Sequence, residues 1–252
     1  MGQWKDYGII KNHDTFTETH IPAHIPGRDT QIKELQFCLS PAIKKSKPFH
    51  AWLFGKPGSG KTVTSRHILN QLHSAFGVRG AYVNCWEHTT LYSVLDKLVA
   101  DLRILGADKP DASFKLQRFE RRIKDEPMVI VLDEIDQPTP KERNAIPYNL
   151  CNLQKVGLVC ICNSRSFLFS LDERIKSRLN PTQIEFRPYS ADEIAFILKK
   201  KAGHALIPEA WNRKTISKIA ELAAGDARLA IKTLKNSAVY AEKAGDEKIK
   251  HG

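Results

Sequence analysis

The chain has 252 residues, room for one large or two small domains, and 42% of them are apolar, which excludes wholesale disorder. Lys and Arg number 39 against 28 Asp and Glu, and the net charge of +11 points to a polyanionic partner, nucleic acid before membrane, or to a basic protein with scattered charge. Five cysteines (Cys38, Cys85, Cys151, Cys160, Cys162) lack C-x-x-C spacing, so neither a zinc site nor a disulfide framework is supported, and the expectation is reduced, mostly buried thiols. No apolar run approaches the roughly 18 residues of a membrane span.

The N-terminus has no signal-peptide core, and Asp6 breaks the myristoylation pattern. Residues 1–20 are polar and weakly patterned, and read as a loosely held arm. The chain then turns at Pro26-Gly27 into a helix capped by Asp29 or Thr30. Pro41 to Pro48 is a basic connector. Ala51-Trp52-Leu53-Phe54 reads as a buried strand, Val63 to Phe76 as a helix and Arg79 to Cys85 as a second strand. Helical spacing runs from Leu91 to Leu105, breaks over Gly106 to Asp111 and resumes over Ser113 to Lys124. This last stretch carries Lys115, Arg118, Arg121, Arg122 and Lys124, which form a solvated helix face or a DNA-contacting one. Met128 to Leu132 is all apolar, as a central parallel strand requires, and Val156 to Cys162 repeats the pattern. Thr182 to Phe186 reads as the last strand. From Ser190, in a capping box with Glu193, only helical periodicity follows, over 190–203, 209–223 and 226–244. The expected division is an arm (1–20), an α/β core (21–188) and a helical subdomain (189–252).

The chemistry centres on Gly55-Lys56-Pro57-Gly58-Ser59-Gly60-Lys61-Thr62, which fits the Walker A pattern between a strand and a helix. Its backbone N–H groups and the helix N-terminus, entered at Val63, would cradle phosphates. Lys61 would reach the β- and γ-phosphates, and the Thr62 hydroxyl would ligate Mg²⁺. Asp133-Glu134 ends an apolar strand as a Walker B pair: Asp133 for the Mg²⁺ shell, Glu134 to orient the attacking water. Asn163 follows the next strand. Read alone it is a turn residue; read as the neighbouring strand end it would sense the γ-phosphate or the water. Arg174 and Arg178 stand four apart on a short helical stretch.

In order and spacing these motifs resemble an AAA+ ATPase, and more narrowly the archaeal and eukaryotic replication initiators of the origin-recognition and Cdc-type loader family. The carriers are Pro-Gly-Arg-Asp, the Walker A string, Tyr-Val-Asn-Cys, Leu-Asp-Glu-Ile-Asp, Cys-Asn-Ser, Asp-Glu-Arg-Ile-Lys-Ser-Arg-Leu, Phe-Arg-Pro-Tyr-Ser and Gly-Asp-Ala-Arg, from about Ile25 to Ala244. The resemblance implies an AAA+ P-loop core with a parallel sheet flanked by helices, plus a small all-α lid. It implies ATP/ADP and Mg²⁺ as cofactors and an adenine-side lip at Ile25 to Asp29, with Ile25 and Arg28 in it. Asn163 is then sensor 1, Arg228 sensor 2, and Arg178 (or Arg174) an arginine finger for a neighbouring subunit. The basic stretch after Leu105 falls where such initiators carry an extra helix that touches duplex DNA.

The implied function is an ATP-hydrolysing switch in replication initiation or helicase loading, slow in isolation. Duplex DNA, other AAA+ or replication proteins and an ATP-dependent oligomer would be its partners. The location would be cytoplasmic on the nucleoid, or nuclear, away from membranes. A non-hydrolysing ATP-bound adaptor and a clamp-loader or transposition-type subunit are the alternatives. Two departures stand out. Gln137-Pro138-Thr139-Pro140 replaces a segment where the family often has a hydrophobic residue. Full-length initiators also continue into a winged-helix domain, whereas this sequence ends at Gly252, so the expectation is a core and lid without that domain.

Overall fold

A computed structural model describes residues 8–17, 20–104 and 111–250. The expected break over Gly106 to Asp111 lies, but for Asp111, outside them. The chain divides into two compact units, one of Arg28–Gly55 with Lys61–Phe186 and one of Met1–Gly27, Lys56–Gly60 and Arg187–Gly252.

The first unit is α/β. In chain order it runs α1 (Asp29–Leu39), β1 (Ala51–Phe54), α2 (Lys61–Phe76), β2 (Arg79–Asn84), α3 (Leu91–Asp101), α4 (Ala112–Ile123), β3 (Met128–Asp133), α5 (Pro140–Cys151), β4 (Val156–Cys162), α6 (Ser166–Phe169), α7 (Glu173–Leu179) and β5 (Thr182–Glu185). The five strands form one sheet in the order β2-β3-β4-β1-β5, and every pairing is parallel. A parallel sheet must be covered on both faces, and the strand residues obey this with a period of two. Met128, Ile130 and Leu132 of β3 face one core with Val94, Leu98, Phe119, Ile123 and Ile146. Val129 and Val131 face a second core with Leu35, Leu39, Ile68 and Leu72 of α1 and α2. Each such side chain, fully withdrawn from water, stabilises the fold by roughly 1.5–3 kcal/mol before entropy is counted.

Three helical details differ from the sequence reading. No side chain caps α1, which begins at Asp29 with Arg28 at the cap position. Asp111 caps α4 by accepting from Ser113 N–H at 3.0 Å. Helix α5 was not read at all, because Pro147 sits inside it, where proline lacks a donor and crowds the preceding turn.

The second unit is helical: α8 (Ala191–Ala205), α9 (Arg213–Leu222) and α10 (Ala227–Ala244). The expected capping box at α8 is present, with Ser190 N–H donating to Glu193 Oε2 at 2.8 Å and Glu193 N–H to Ser190 Oγ at 3.1 Å. Asn212 and Asp226 cap α9 and α10. Residues 8–17 correct the loosely-held-arm expectation. Ile9, Ile10 and Phe16 are buried with Leu198, Leu206, Leu234 and Ala238 in the core of this unit. Ile10 bridges Leu206 antiparallel, Lys11 N–H donates to Ala205 O at 2.7 Å, and Ile10 N–H donates to Glu242 Oε1 at 2.9 Å. Three isolated apolar residues have no periodicity to reveal them, yet each fills a gap between helices.

Candidate functional site

The strand register builds the α/β part of the site. Phe54 pairs with Cys162, so the chain leaves β1 at Gly55 beside the point where it leaves β4 at Asn163. Gly55 must be glycine: its φ is +153°, and a Cβ there would meet Phe186 O at 2.1 Å. Lys61, at the start of α2, is buried, and its Nζ donates to Gly55 O at 2.6 Å and to Asn163 Oδ1 at 3.4 Å. Lys61 thus ties the two strand ends together with its ammonium.

The next residue reaches the Walker B strand. Thr62 Oγ1 donates to Asp133 Oδ2 at 2.6 Å, and the Tyr82 hydroxyl donates to the same oxygen at 2.8 Å. Asp133 Oδ1 accepts from Glu134 N–H at 3.0 Å. Burial first, and the Asp133 charge second, raise the Tyr82 hydroxyl's pKa, so it stays a protonated donor. The Arg66 guanidinium, one helical turn beyond Thr62, lies 4.0 Å from the Tyr82 ring centre.

Glu134 has a φ of +54°, a left-handed conformation that is costly for a residue with a side chain and is found where surrounding bonds impose it. Here Cys85 N–H holds Asp133 O at 2.8 Å, Ile135 N–H donates to Ile161 O at 3.1 Å and Gln137 N–H donates to Glu134 O at 3.0 Å. The last acidic residue of the motif, Asp136, accepts from Asn163 N–H at 3.2 Å through Oδ2, while its buried Oδ1 has no hydrogen-bond partner. Tyr82 and Asp136 stand in motifs that the sequence reading quoted without giving either residue a role, and Arg66 was missed. A tyrosine on a strand looks like ordinary β propensity; only the register Asn84 to Asp133 brings it under the carboxylate.

The expected residues are divided between the two units. Gly55, Lys61, Thr62, Asp133, Glu134 and Asn163 lie in the α/β unit, with Val63 half-buried in the first turn of α2. Arg28 belongs to the same unit but is buried, with its guanidinium 5.8 Å from the Phe186 ring centre. Ile25, Lys56, Pro57, Gly58, Ser59, Gly60 and Arg228 belong to the other unit, where Arg228 is exposed in the first turn of α10. Arg178 is exposed, donates to Asn152 Oδ1 and lies 5.1 Å from the Tyr148 ring centre; Arg174 is exposed on the same helix. Lys115 leaves the expected basic face altogether: it is buried, paired with Asp96 and 4.8 Å from the Tyr92 ring. Arg121, Arg122 and Lys124 are exposed.

The cysteines take no part. Burial pushes the Cys85 thiol up to about 12 and Cys162 to about 11, so neither is a thiolate near neutral pH. For Mg²⁺ the donor set fits: a hard cation takes oxygen ligands, and one carboxylate, one hydroxyl and substrate phosphates suffice. Thr62 and Asp133 offer those two oxygens in contact, and among the described residues no group of three or more His, Cys, Asp or Glu builds a different metal cage.

Comparison with known proteins shows the family. Residues 24–161 match the AAA ATPase domain family, and residues 195–252 match the Cdc6 AAA+ ATPase-type lid domain. The chain therefore belongs to the AAA+ ATPases, in the branch that carries a Cdc6-type lid. It is 32% identical to ORC1-type DNA replication protein 1 of Sulfurisphaera tokodaii over 96% of this chain and 64% of that protein. It is 31% identical to the ORC1-type DNA replication protein of Cenarchaeum symbiosum over 97% of this chain and 65% of that one. Among solved structures, the Aeropyrum pernix ORC1 protein in complex with DNA superposes with a TM-score of 0.88 at 28% identity, covering 98% of this chain and 68% of that one. The chain thus spans just under two thirds of the length of these curated relatives. Among the described residues no helix is long and apolar enough to cross a membrane.

Proposed function

We propose that this chain binds ATP with Mg²⁺, hydrolyses it to ADP and phosphate, and uses the change as a switch in DNA replication initiation or helicase loading. The observation that carries the reading is the meeting of Thr62 Oγ1 and Asp133 Oδ2 at 2.6 Å beside a Lys61 that links Gly55 and Asn163. Mg²⁺, when bound, would neutralise developing phosphate charge. Thr62 and Asp133 would hold it. Lys61 exchanges its bond to Gly55 O for the β- and γ-phosphates, which need a cation in the same place. Glu134, pinned in its left-handed conformation next to Asp133, orients the attacking water. Asn163 contacts the γ-phosphate or that water and reports the change through Asp136.

In this reading Ile25 and Arg28 flank adenine, Arg228 of the lid reads the γ-phosphate, and the exposed Arg178 completes the site of a second subunit. Missing that arginine can cost ~10³–10⁵ in rate, so turnover of the isolated chain is slow. Duplex DNA is engaged through the exposed Arg121, Arg122 and Lys124 of the α4 region. The names of the relatives, all DNA replication proteins, support the process, and the Aeropyrum pernix protein was solved with DNA. They support a site of action on chromosomal DNA.

The test is single-turnover hydrolysis of labelled ATP by wild type, Lys61→Ala and Glu134→Gln. Loss of nucleotide binding in the first and of hydrolysis alone in the second support the reading. Tight binding with no wild-type hydrolysis, even at high protein concentration, would instead make the chain an adaptor that holds ATP.

A further inference from the structure

The helical unit carries a feature that ATP chemistry does not use. A groove of about 480 Å³ lies along the outward face of α8, lined by Phe196, Lys199, Lys200, Gly203 and His204 and by Trp211 from the segment before α9. The volume falls within the roughly 300–1,000 Å³ of ligand sites. The helical offsets from Phe196 are three, four, seven and eight, so one stripe of the helix supplies five of the six residues. Gly203 keeps the floor open: a Cβ there would meet nothing within 4 Å. Phe196 is 46% exposed, and the Lys200 ammonium sits 5.6 Å from its ring centre.

The chemistry of this groove is one-sided. Phe196 and Trp211 are its aromatic residues, Lys199, Lys200 and His204 its polar ones, and no carboxylate lines it; Trp211 is partly buried against the core of the helical unit. The third lysine of the run, Lys201, is turned away, donating to Thr15 O at 2.5 Å. Charge of one sign selects an anion. Aromatic rings select one with flat apolar faces between its charges, and an acidic peptide has no such regular alternation. A single nucleic-acid strand has it: bases stack on aromatic rings while phosphates follow the cations. The distance along α8 from Lys199 or Lys200 to His204 is roughly 6–7.5 Å at 1.5 Å per residue, about two steps of a stacked strand at roughly 3.4 Å each.

We propose that the α8–Trp211 groove binds single-stranded nucleic acid, stacking one or two bases on Phe196 and Trp211 with phosphates on Lys199, Lys200 and His204. The groove shares no residue with the Lys61–Asp133 site or with the exposed arginines of α4, and it would hold a strand once a duplex has opened.

The experiment is titration of the full chain with oligo(dT), read by tryptophan fluorescence and by anisotropy of a labelled strand. The chain has four tryptophans, of which Trp52 is fully buried and Trp86 is 64% exposed, so variants at Trp4, Trp86 and Trp211 separate the signals. Quenching should persist in Trp4→Phe/Trp86→Phe and vanish in Trp211→Phe. The double variant Lys199→Glu/Lys200→Glu should bind about tenfold more weakly while its ATP affinity is unchanged. Replacing oligo(dT) by an abasic strand of the same length should weaken binding about tenfold, since stacking carries ~1–3 kcal/mol per base. Equal affinity for the abasic strand, quenching that survives in Trp211→Phe, or a double variant that binds as wild type would overturn the proposal. Intact ATP binding alongside any of these results would leave the α/β site's role standing.

Discussion

The Tyr82 hydroxyl donates to Asp133 Oδ2 at 2.8 Å, on the same oxygen that receives Thr62 Oγ1. A carboxylate fixed from two sides cannot rotate freely, so its second oxygen keeps one orientation. Arg66 over the tyrosine ring holds the donor in turn. Tyr82→Phe keeps the ring and removes the hydroxyl. A hydrogen bond to a charged group contributes roughly 1.5–3 kcal/mol. The Mg²⁺ concentration for half-maximal binding of a fluorescent ADP should therefore rise about tenfold, while metal-free ADP binding stays the same. A magnesium titration at fixed nucleotide reads both.

Asp136 lies two residues after Glu134 and accepts from the Asn163 backbone N–H at 3.2 Å. Asp136→Ala releases that loop without touching the phosphates. The expected result is a fall in kcat of about tenfold with KM within a factor of two, because in the proposed function Asn163 serves the hydrolysis step more than nucleotide binding. Steady-state kinetics at saturating Mg²⁺ decides it.

His50 gives the fold a pH dependence. Its Nδ1 accepts from Leu158 N–H at 2.9 Å in a buried position, and burial, with Lys47 nearby, lowers its pKa to about 4. The folded state thus prefers the neutral ring. Its stabilisation is fully present above the unfolded value of about 6.5 and is lost as pH falls toward 4, amounting to about 3 kcal/mol in full. His50→Asn should flatten urea-unfolding midpoints measured between pH 7 and pH 4 relative to wild type. A wild-type curve already flat over that range would contradict the assignment.

The segment 8–17 is part of the helical core, not an appendage. Phe16 is 7% exposed among Leu198, Ala202 and their neighbours. Phe16→Ala should destabilise this unit by about 3–5 kcal/mol. Limited proteolysis should then cut first in residues 187–250, with the α/β unit surviving longer. Cleavage at the same rate as wild type would return the segment to the status of a loose arm.

Much of the fold was legible because its signals are local. The Walker A string, the apolar runs of β3 and β4 and the Ser190–Glu193 capping box each specify their own element. What stayed hidden depends on pairing. Tyr82 matters only because β2 lies beside β3 in the register that sets Asn84 opposite Asp133. Ile9, Ile10 and Phe16 matter only because helices 180 residues away leave gaps for them. Lys115 looked like surface charge because composition cannot tell a basic face from a lysine turned inward onto Asp96 and Tyr92. Helix α5 was hidden by Pro147, where tertiary packing overrode a local penalty.

The most direct measurement is anisotropy of labelled duplex DNA titrated with protein in ATP, in ADP and without nucleotide, for wild type and Lys61→Ala, at two salt concentrations. The account predicts binding that differs between ATP and ADP, weakens steeply with salt as phosphate contacts require, and loses its nucleotide dependence in Lys61→Ala. Binding indifferent to nucleotide, or none in any state, would contradict an ATP-driven switch that acts on DNA.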